Sequence, residues 1–373
     1  MQRCRARRRR GGKTLSTSTS AGGAAAASNS RTITLNGKTI AAPLIVAEPS
    51  AWRGADVRDK VGDWTYHLTP ADVAEVHAAL AACKAKGLSG TAVTAADFVL
   101  PKFGATIHGW SPEMNQGRGF MLVDGSALAD LSDEDLRTVF YGIGHYLGVP
   151  LSQNSYGDML GDVLDEGVKM GSGRVRGYRT NQRLRFHTDR ADVVGLLCLH
   201  AAKTGGMSSI VSSTAIYNEI MRNHPEYLEP LLNGYVHATV EEGGAVNTVR
   251  IPVYSIRDGV VSCRILRNTI ESTRTRGYTE HTDLEAAALA YMDALTERAD
   301  LRLDMDLKRG DMQFINNYTT LHARTEFEDY DDGRPRRHLL RLWLKFARWP
   351  RLVDADDFWD YHGVEKTLER KAA

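Results

Sequence analysis

With 373 residues, 42% of them hydrophobic and 25% charged, the chain can bury a sizeable core, and no apolar run approaches the ~20 residues that a membrane-spanning helix needs. The formal net charge of +1 hides an asymmetry: residues 1–30 hold seven basic residues (Arg3, Arg5, Arg7 to Arg10, Lys13) and no acid, so 47 less seven leaves 40 basic against 46 acidic residues beyond them, a net of −6. A body of that charge lacks the bulk positive potential that phosphate binding favours, which argues against nucleic acid as a partner.

Residues 1–30, rich in Arg, Ser, Ala and Gly, have the composition of an organelle transit peptide and equally that of a disordered basic tail. Either way the fold is expected as one domain over residues 31–373. Thr69-Pro70-Ala71-Asp72, followed by apolar residues at helical spacing up to Gly87, reads as a capped helix with proline at its first position. Gly119 to Gly125 encloses a short apolar run, as expected of a buried strand. Ser132 as N-cap, acids at 133–135 and Gly148 with Pro150 frame a second helix over Leu136 to Leu147.

After Phe186 the pattern turns to strands at Val193 to Leu199, Ser209 to Ser213, Val253 to Ile256, Val260 to Ile265, Met312 to Ile315 and Leu339 to Phe346. Arg257-Asp258-Gly259 is a hairpin signal between two of them, and helices are expected over Ala215 to Leu232 and Asp283 to Ala299. The expected fold is mainly β with helical insertions, around a double-stranded β-helix (jelly roll, cupin-like) core. The four cysteines, Cys4, Cys83, Cys198 and Cys263, form no Cys-x-x-Cys pair, which argues against a zinc ribbon or disulfide scaffold and fits a reducing, intracellular compartment. That compartment is the mitochondrion or plastid if the N-terminus is a transit peptide, and the cytoplasm otherwise.

The strongest chemical feature is Arg185-Phe186-His187-Thr188-Asp189 at the lip of a strand. Side chains two apart on extended backbone share a face, so His187 and Asp189 can converge on one ion. Two imidazoles and a carboxylate on one face of an octahedron are the ligand set of non-haem iron(II) oxygenases, and His322, following a turn and an apolar strand from Gly310, can supply the third group. Alone, His-x-Asp is more often a hydrogen-bonded pair than a metal site. Further on, Arg337 and Arg341 lie four apart on Arg-Arg-His-Leu-Leu-Arg-Leu-Trp-Leu and face the same way. Inward arginines on an apolar strand are costly unless anions meet them, and a guanidinium fork fits a carboxylate in a bidentate way.

From about Gly117 to Phe346 the sequence resembles the taurine dioxygenase and 2,4-D dioxygenase (TauD/TfdA) family of clavaminate-synthase-like enzymes. The resemblance is carried by Gly117 to Gly125, Phe186 to Asp189, Gly205 to Ser208, Gly310-Asp311-Met312 with Asn316 and His322, and the Arg337/Arg341 strand. It implies iron(II) on His187, Asp189 and His322, with 2-oxoglutarate and O2 as co-substrates. It further implies that Arg337 takes the distal carboxylate of 2-oxoglutarate, that Ser208 stands where the family has a hydroxyl on the same group, and that Arg341 lies nearer the substrate. The acidic segment between His322 and Arg337 leaves the two arginine roles exchangeable. Asn181 is read either as pocket-facing and substrate-binding or as a turn cap.

The implied activity is oxidation, by default hydroxylation, of a small and acidic organic molecule with release of succinate and CO2. Two other readings of the same residues are a zinc hydrolase on this triad and a non-catalytic cupin-like module that only holds a metal or ligand. Substrate identity and assembly into a homo-oligomer are left open. The remaining histidines, among them His145 at a helix end, have no ligand-like company in sequence and read as structural.

Overall fold

The computed structural model describes residues 29–35, 38–154, 156–168, 177–240 and 246–346. The expected tail or transit peptide, residues 1–30, lies outside them except for its last two residues. The antiparallel hairpin Ser30–Leu35 with Lys38–Pro43 opens the domain one residue ahead of the expected boundary and buries Ala42.

Helix starts follow the local chemistry of the sequence. Thr69 Oγ1 accepts the Asp72 amide at 3.2 Å while the Asp72 carboxylate accepts the Thr69 amide at 2.9 Å, a reciprocal cap that starts the helix Pro70–Ala85. Ser132 caps Asp133–Leu147, and Thr282 with Glu285 repeats the reciprocal cap on Asp283–Glu297. The single helix expected over Ala215 to Leu232 is instead two, Ser213–Asn223 and Leu228–Asn233. Pro225 lacks an amide proton and disfavours α geometry in the residue before it, and His224 accordingly sits at φ −144°. A helix absent from the expectation spans Phe103–Gln116, burying Phe103, Ile107, Trp110 and Met114 along one stripe.

Two sheets dominate. The larger runs Thr65–His67, Phe120–Asp124, Met312–Asn316, Val193–His200 and His338–Phe346, with Gly148–Leu151 and Leu160–Leu164 sharing the far edge of the last strand. All its neighbours are antiparallel except the first pair. The smaller runs Arg302–Met305, Ser208–Ser212, Thr320–Arg324 and Leu184–His187, antiparallel throughout. Strand alternation sorts their side chains into three cores. Val193, Leu197 and Leu199 join Phe140, Ile107 and other helical residues on the outer face of the large sheet. Val194, Cys198, Leu339 and Trp343 meet Ile210, Leu303 and Met305 of the small sheet. Phe186, Val211 and Leu321 on the outer face of the small sheet pack with Ile216, Ile220, Leu289 and Met292. The layers are therefore helix, sheet, sheet, helix.

The hairpin signal at Asp258-Gly259 is realised: Tyr254–Arg257 pairs with Val260–Cys263, and both turn residues have positive φ, 51° and 79°. Cys83, Cys198 and Cys263 are free and buried, and burial pushes all three thiols up, that of Cys198 to about 12. No helix among the described residues is long and apolar enough to cross a membrane.

Candidate active site

His187 and His322 are direct cross-strand partners in the small sheet, with ring centroids 4.3 Å apart. Asp189 follows on the turn that leaves the Leu184–His187 strand. Asn317 clasps that turn from the next segment, its Oδ1 accepting the Asp189 amide at 3.0 Å and its Nδ2 donating to the Ala191 carbonyl at 2.8 Å. One ligand atom from each of His187, Asp189 and His322 lies within 4.8 Å of the others, and among the described residues no other such group of His, Cys, Asp or Glu occurs.

The protonation states suit ligation. His187 Nδ1 donates to the Arg185 carbonyl at 2.8 Å, which leaves Nε2 as the lone pair. Burial, followed by the charge of His322, takes its pKa down to about 4. Burial pushes the Asp189 carboxyl up, but Arg341, His322 and His187 outweigh it and hold it well below the usual carboxylate range. Asp189 also accepts the Trp343 indole N–H at 2.9 Å. Two imidazoles and an ionised carboxylate converging with one side open are the donor set that iron(II) takes.

Arg341 reaches Asp189 from the inner face of the large sheet, with Nη1 3.1 and 3.3 Å from the carboxylate oxygens. Its Nε donates to Gln153 Oε1 at 2.9 Å, and its guanidinium lies 5.0 Å from the Tyr178 ring and 4.7 Å from the Trp343 ring. Arg337, at the head of the same strand, is placed differently. It is 4% exposed, donates through Nη2 to the Gly206 carbonyl at 2.9 Å, and keeps a buried Nη1 with no partner. Burial takes its guanidinium down to about 10. Gly206, at φ 70°, makes room for it: a Cβ there would stand 2.5 Å from Arg337 Nε. Ser208 faces the same space and is bonded to Gln313 Oε1 at 2.8 Å.

These groups line one cavity, with His187, His322, Ser208, Arg324, Arg337 and Arg341 as its polar wall and Val163, Leu184, Leu196 and Leu339 as its apolar wall. Asn181 is exposed and lies outside that lining; its backbone carbonyl accepts the Phe327 amide.

Residues 84–343 match the profile of the family described as taurine catabolism dioxygenase TauD, TfdA family. The chain belongs to the TauD/TfdA family. FR-33289 synthase of Streptomyces rubellomurinus is 30% identical over 301 residues, covering 79% of this chain and 88% of the relative. Taurine hydroxylase-like protein SAT17 of Stachybotrys chartarum is 30% identical over 305 residues, covering 78% and 77%. A solved structure of asparagine oxygenase with Fe(II), a 3-hydroxyasparagine and succinate superposes with a TM-score of 0.58 at 16% identity, over 75% of this chain and 93% of that one, a likeness of fold.

As a TauD/TfdA member this chain is a non-haem iron dioxygenase that uses 2-oxoglutarate and O2. Its orphaned Arg337 Nη1 is the kind of buried donor that a co-substrate carboxylate would satisfy. Two residues of this dioxygenase's site go beyond those expected from the sequence. Trp343 reaches Asp189 only because the register of the large sheet puts it there. Arg324, buried in the cavity wall, lies two residues beyond His322, where strand alternation alone would place it on the same face.

Proposed function

We propose that His187, Asp189 and His322 hold the iron of this dioxygenase, and that Arg337 with Ser208 receives the distal carboxylate of 2-oxoglutarate. Arg341 then meets an acidic group on a small organic substrate, which is hydroxylated with release of succinate and CO2. One observation carries the reading: the three ligand atoms lie within 4.8 Å of one another, and the two imidazoles among them line a cavity with a buried guanidinium that has an unpartnered N–H. The relative named as taurine hydroxylase-like and the neighbour solved with a hydroxylated amino acid and succinate support hydroxylation as the outcome. The two facing sheets, with the site between them, support reading the core as a double-stranded β-helix of the cupin-like kind.

The bound iron supplies the activation of O2; the protein supplies positions and charges. His187 presents Nε2 because its Nδ1 proton is engaged, and Asp189 stays ionised because cations surround it. Arg337 orients 2-oxoglutarate by its far end, and the apolar wall of Val163, Leu184, Leu196 and Leu339 keeps water from the reacting carbon. Arg341 lines the cavity from the Asp189 side, within reach of a second anion. No protein acid or base is required.

The test is succinate formation from 2-oxoglutarate across a panel of sulfonates, carboxylates, amino acids and aryloxyacids. His187→Ala, Asp189→Ala and His322→Ala should each abolish it, and undiminished succinate from Asp189→Ala would remove the proposed site. A charge-assisted bond is worth about 1.5 to 3 kcal/mol, so Arg337→Ala should raise the KM for 2-oxoglutarate by roughly 10- to 150-fold. At saturating iron(II), needed because Arg341 also holds Asp189, Arg341→Ala should raise the KM for the primary substrate instead. If both substitutions weaken only 2-oxoglutarate, the substrate's acidic group is excluded.

A further inference from the structure

The co-substrate end of the cavity holds a second buried guanidinium beside Arg337. Arg324 is 5% exposed, lines the same cavity, and is the cross-strand partner of Ser208. Its Nη2 is tied to the backbone carbonyls of Thr180 and Gln182, which fixes the plane of the group. Its Nε and Nη1 are buried with no partner, as is Arg337 Nη1. Both guanidiniums lie over one ring, Phe327, at 4.8 and 5.0 Å from its centroid. Asp165 and Asp329 are close enough to act on them through space, yet among the described residues no carboxylate is hydrogen-bonded to either guanidinium.

Burying one cation without a counter-ion costs several kcal/mol, and burying two side by side adds their repulsion. The rings and carbonyls around the pair do not neutralise it. An anion would, and a carboxylate has about four lone-pair directions, enough for the three unpartnered nitrogens of the pair. The distance fits as well. Arg324 is two strand positions beyond His322, about 6.6 Å along the backbone, comparable with the length of a five-carbon diacid anchored at the metal.

We propose that Arg324 is a second binding residue for the distal carboxylate of 2-oxoglutarate, which is thus held between two arginines. This rests on the reading of Arg337 and Ser208 given above. It follows that the pocket discriminates by the charge of the far end more sharply than a single arginine allows, because a neutral end leaves two buried cations uncompensated.

The experiment is calorimetric binding to the Mn(II)-loaded, full-length protein under nitrogen, so that no turnover intervenes. The two probes are 2-oxoglutarate and 2-oxopentanoate, which has the same chain with a methyl in place of the distal carboxylate. Arg324→Gln should raise the Kd of 2-oxoglutarate by roughly 10- to 150-fold and leave that of 2-oxopentanoate within about twofold of wild type. Arg324→Lys, which keeps the charge without the fork, should fall between wild type and the glutamine variant. A penalty of equal size on both probes means that Arg324 only supports the backbone at Thr180 and Gln182, and overturns the proposal. So does an Arg324→Gln protein that binds 2-oxoglutarate as tightly as wild type while Arg337→Gln is impaired. If neither arginine affects 2-oxoglutarate, or if wild type fails to prefer it over 2-oxopentanoate, the clamp reading itself falls. Circular dichroism melting of each variant confirms that a folded protein is being titrated.

Discussion

At the residue scale, the Asp189 carboxylate must present an oxygen to the metal in a fixed direction. Trp343 Nε1, 2.9 Å from Oδ2, and Arg341 Nη1, 3.1 Å from the same oxygen, restrain it from one side. Partners of this kind behind a ligand contribute about 10- to 100-fold to metal affinity. Trp343→Phe, which keeps the packing and removes the N–H, should therefore weaken Mn(II) binding by about tenfold or more in a competition titration with a metal indicator. Unchanged affinity would mean that the indole bond does not orient the ligand. The triad itself was legible in the sequence, because His187 and Asp189 are two apart on extended backbone and His322 ends an apolar strand. The same alternation puts Arg324 on the face of His322, although nothing in the motif marked it out. The attachment of Arg341 and Trp343 to Asp189 was not, since it depends on how one strand of the large sheet lies against a turn leaving the small one, some 150 residues away in sequence.

At the element scale, the turn between Thr204–Gly205 and Ser208–Ser212 places Arg337. Gly206 occupies a left-handed conformation, and its missing side chain leaves the space that the Arg337 Nε uses. Gly206→Ala should cost roughly 1 to 2 kcal/mol of stability through backbone strain. It should also raise the Kd of 2-oxoglutarate, with Mn(II) affinity unchanged because the triad lies elsewhere. If 2-oxoglutarate binds the alanine variant normally, Arg337 is not held by this turn. Elements with strong local signals were legible: the Thr69 and Ser132 caps, the Asp258-Gly259 turn and the long apolar strands. The helix Phe103–Gln116 was hidden by Gly104, Gly109 and Pro112, although its buried residues keep helical spacing. Short strands such as Leu184–His187 and Arg302–Met305 owe their pairing to distant partners, which no local pattern announces.

At the scale of the whole molecule, four layers bury groups that water would otherwise charge. His237, 5% exposed on the strand Tyr235–Val240, has its pKa taken down to about 4 by burial. Its ordinary value in an unfolded chain is about 6.5. Below that pH the unfolded state binds a proton that the native state refuses, so the native state is fully favoured above about pH 6.5 and loses stability as pH falls towards 4. The loss is of order 1.4 kcal/mol per pH unit, about 3 kcal/mol in all. His237→Gln should accordingly show a smaller drop in Tm between pH 7 and pH 5 than wild type. Equal drops would show that His237 carries no such linkage. The three buried cysteines have a further use, because each belongs to a different core: Cys83 to the outer face of the large sheet, Cys198 to the space between the sheets, and Cys263 to the outer face of the small sheet. Held as protonated thiols away from solvent, they react with an alkylating reagent only when their own layer opens. The protein thus carries three internal clocks, and pulse alkylation read peptide by peptide would time the opening of each layer separately.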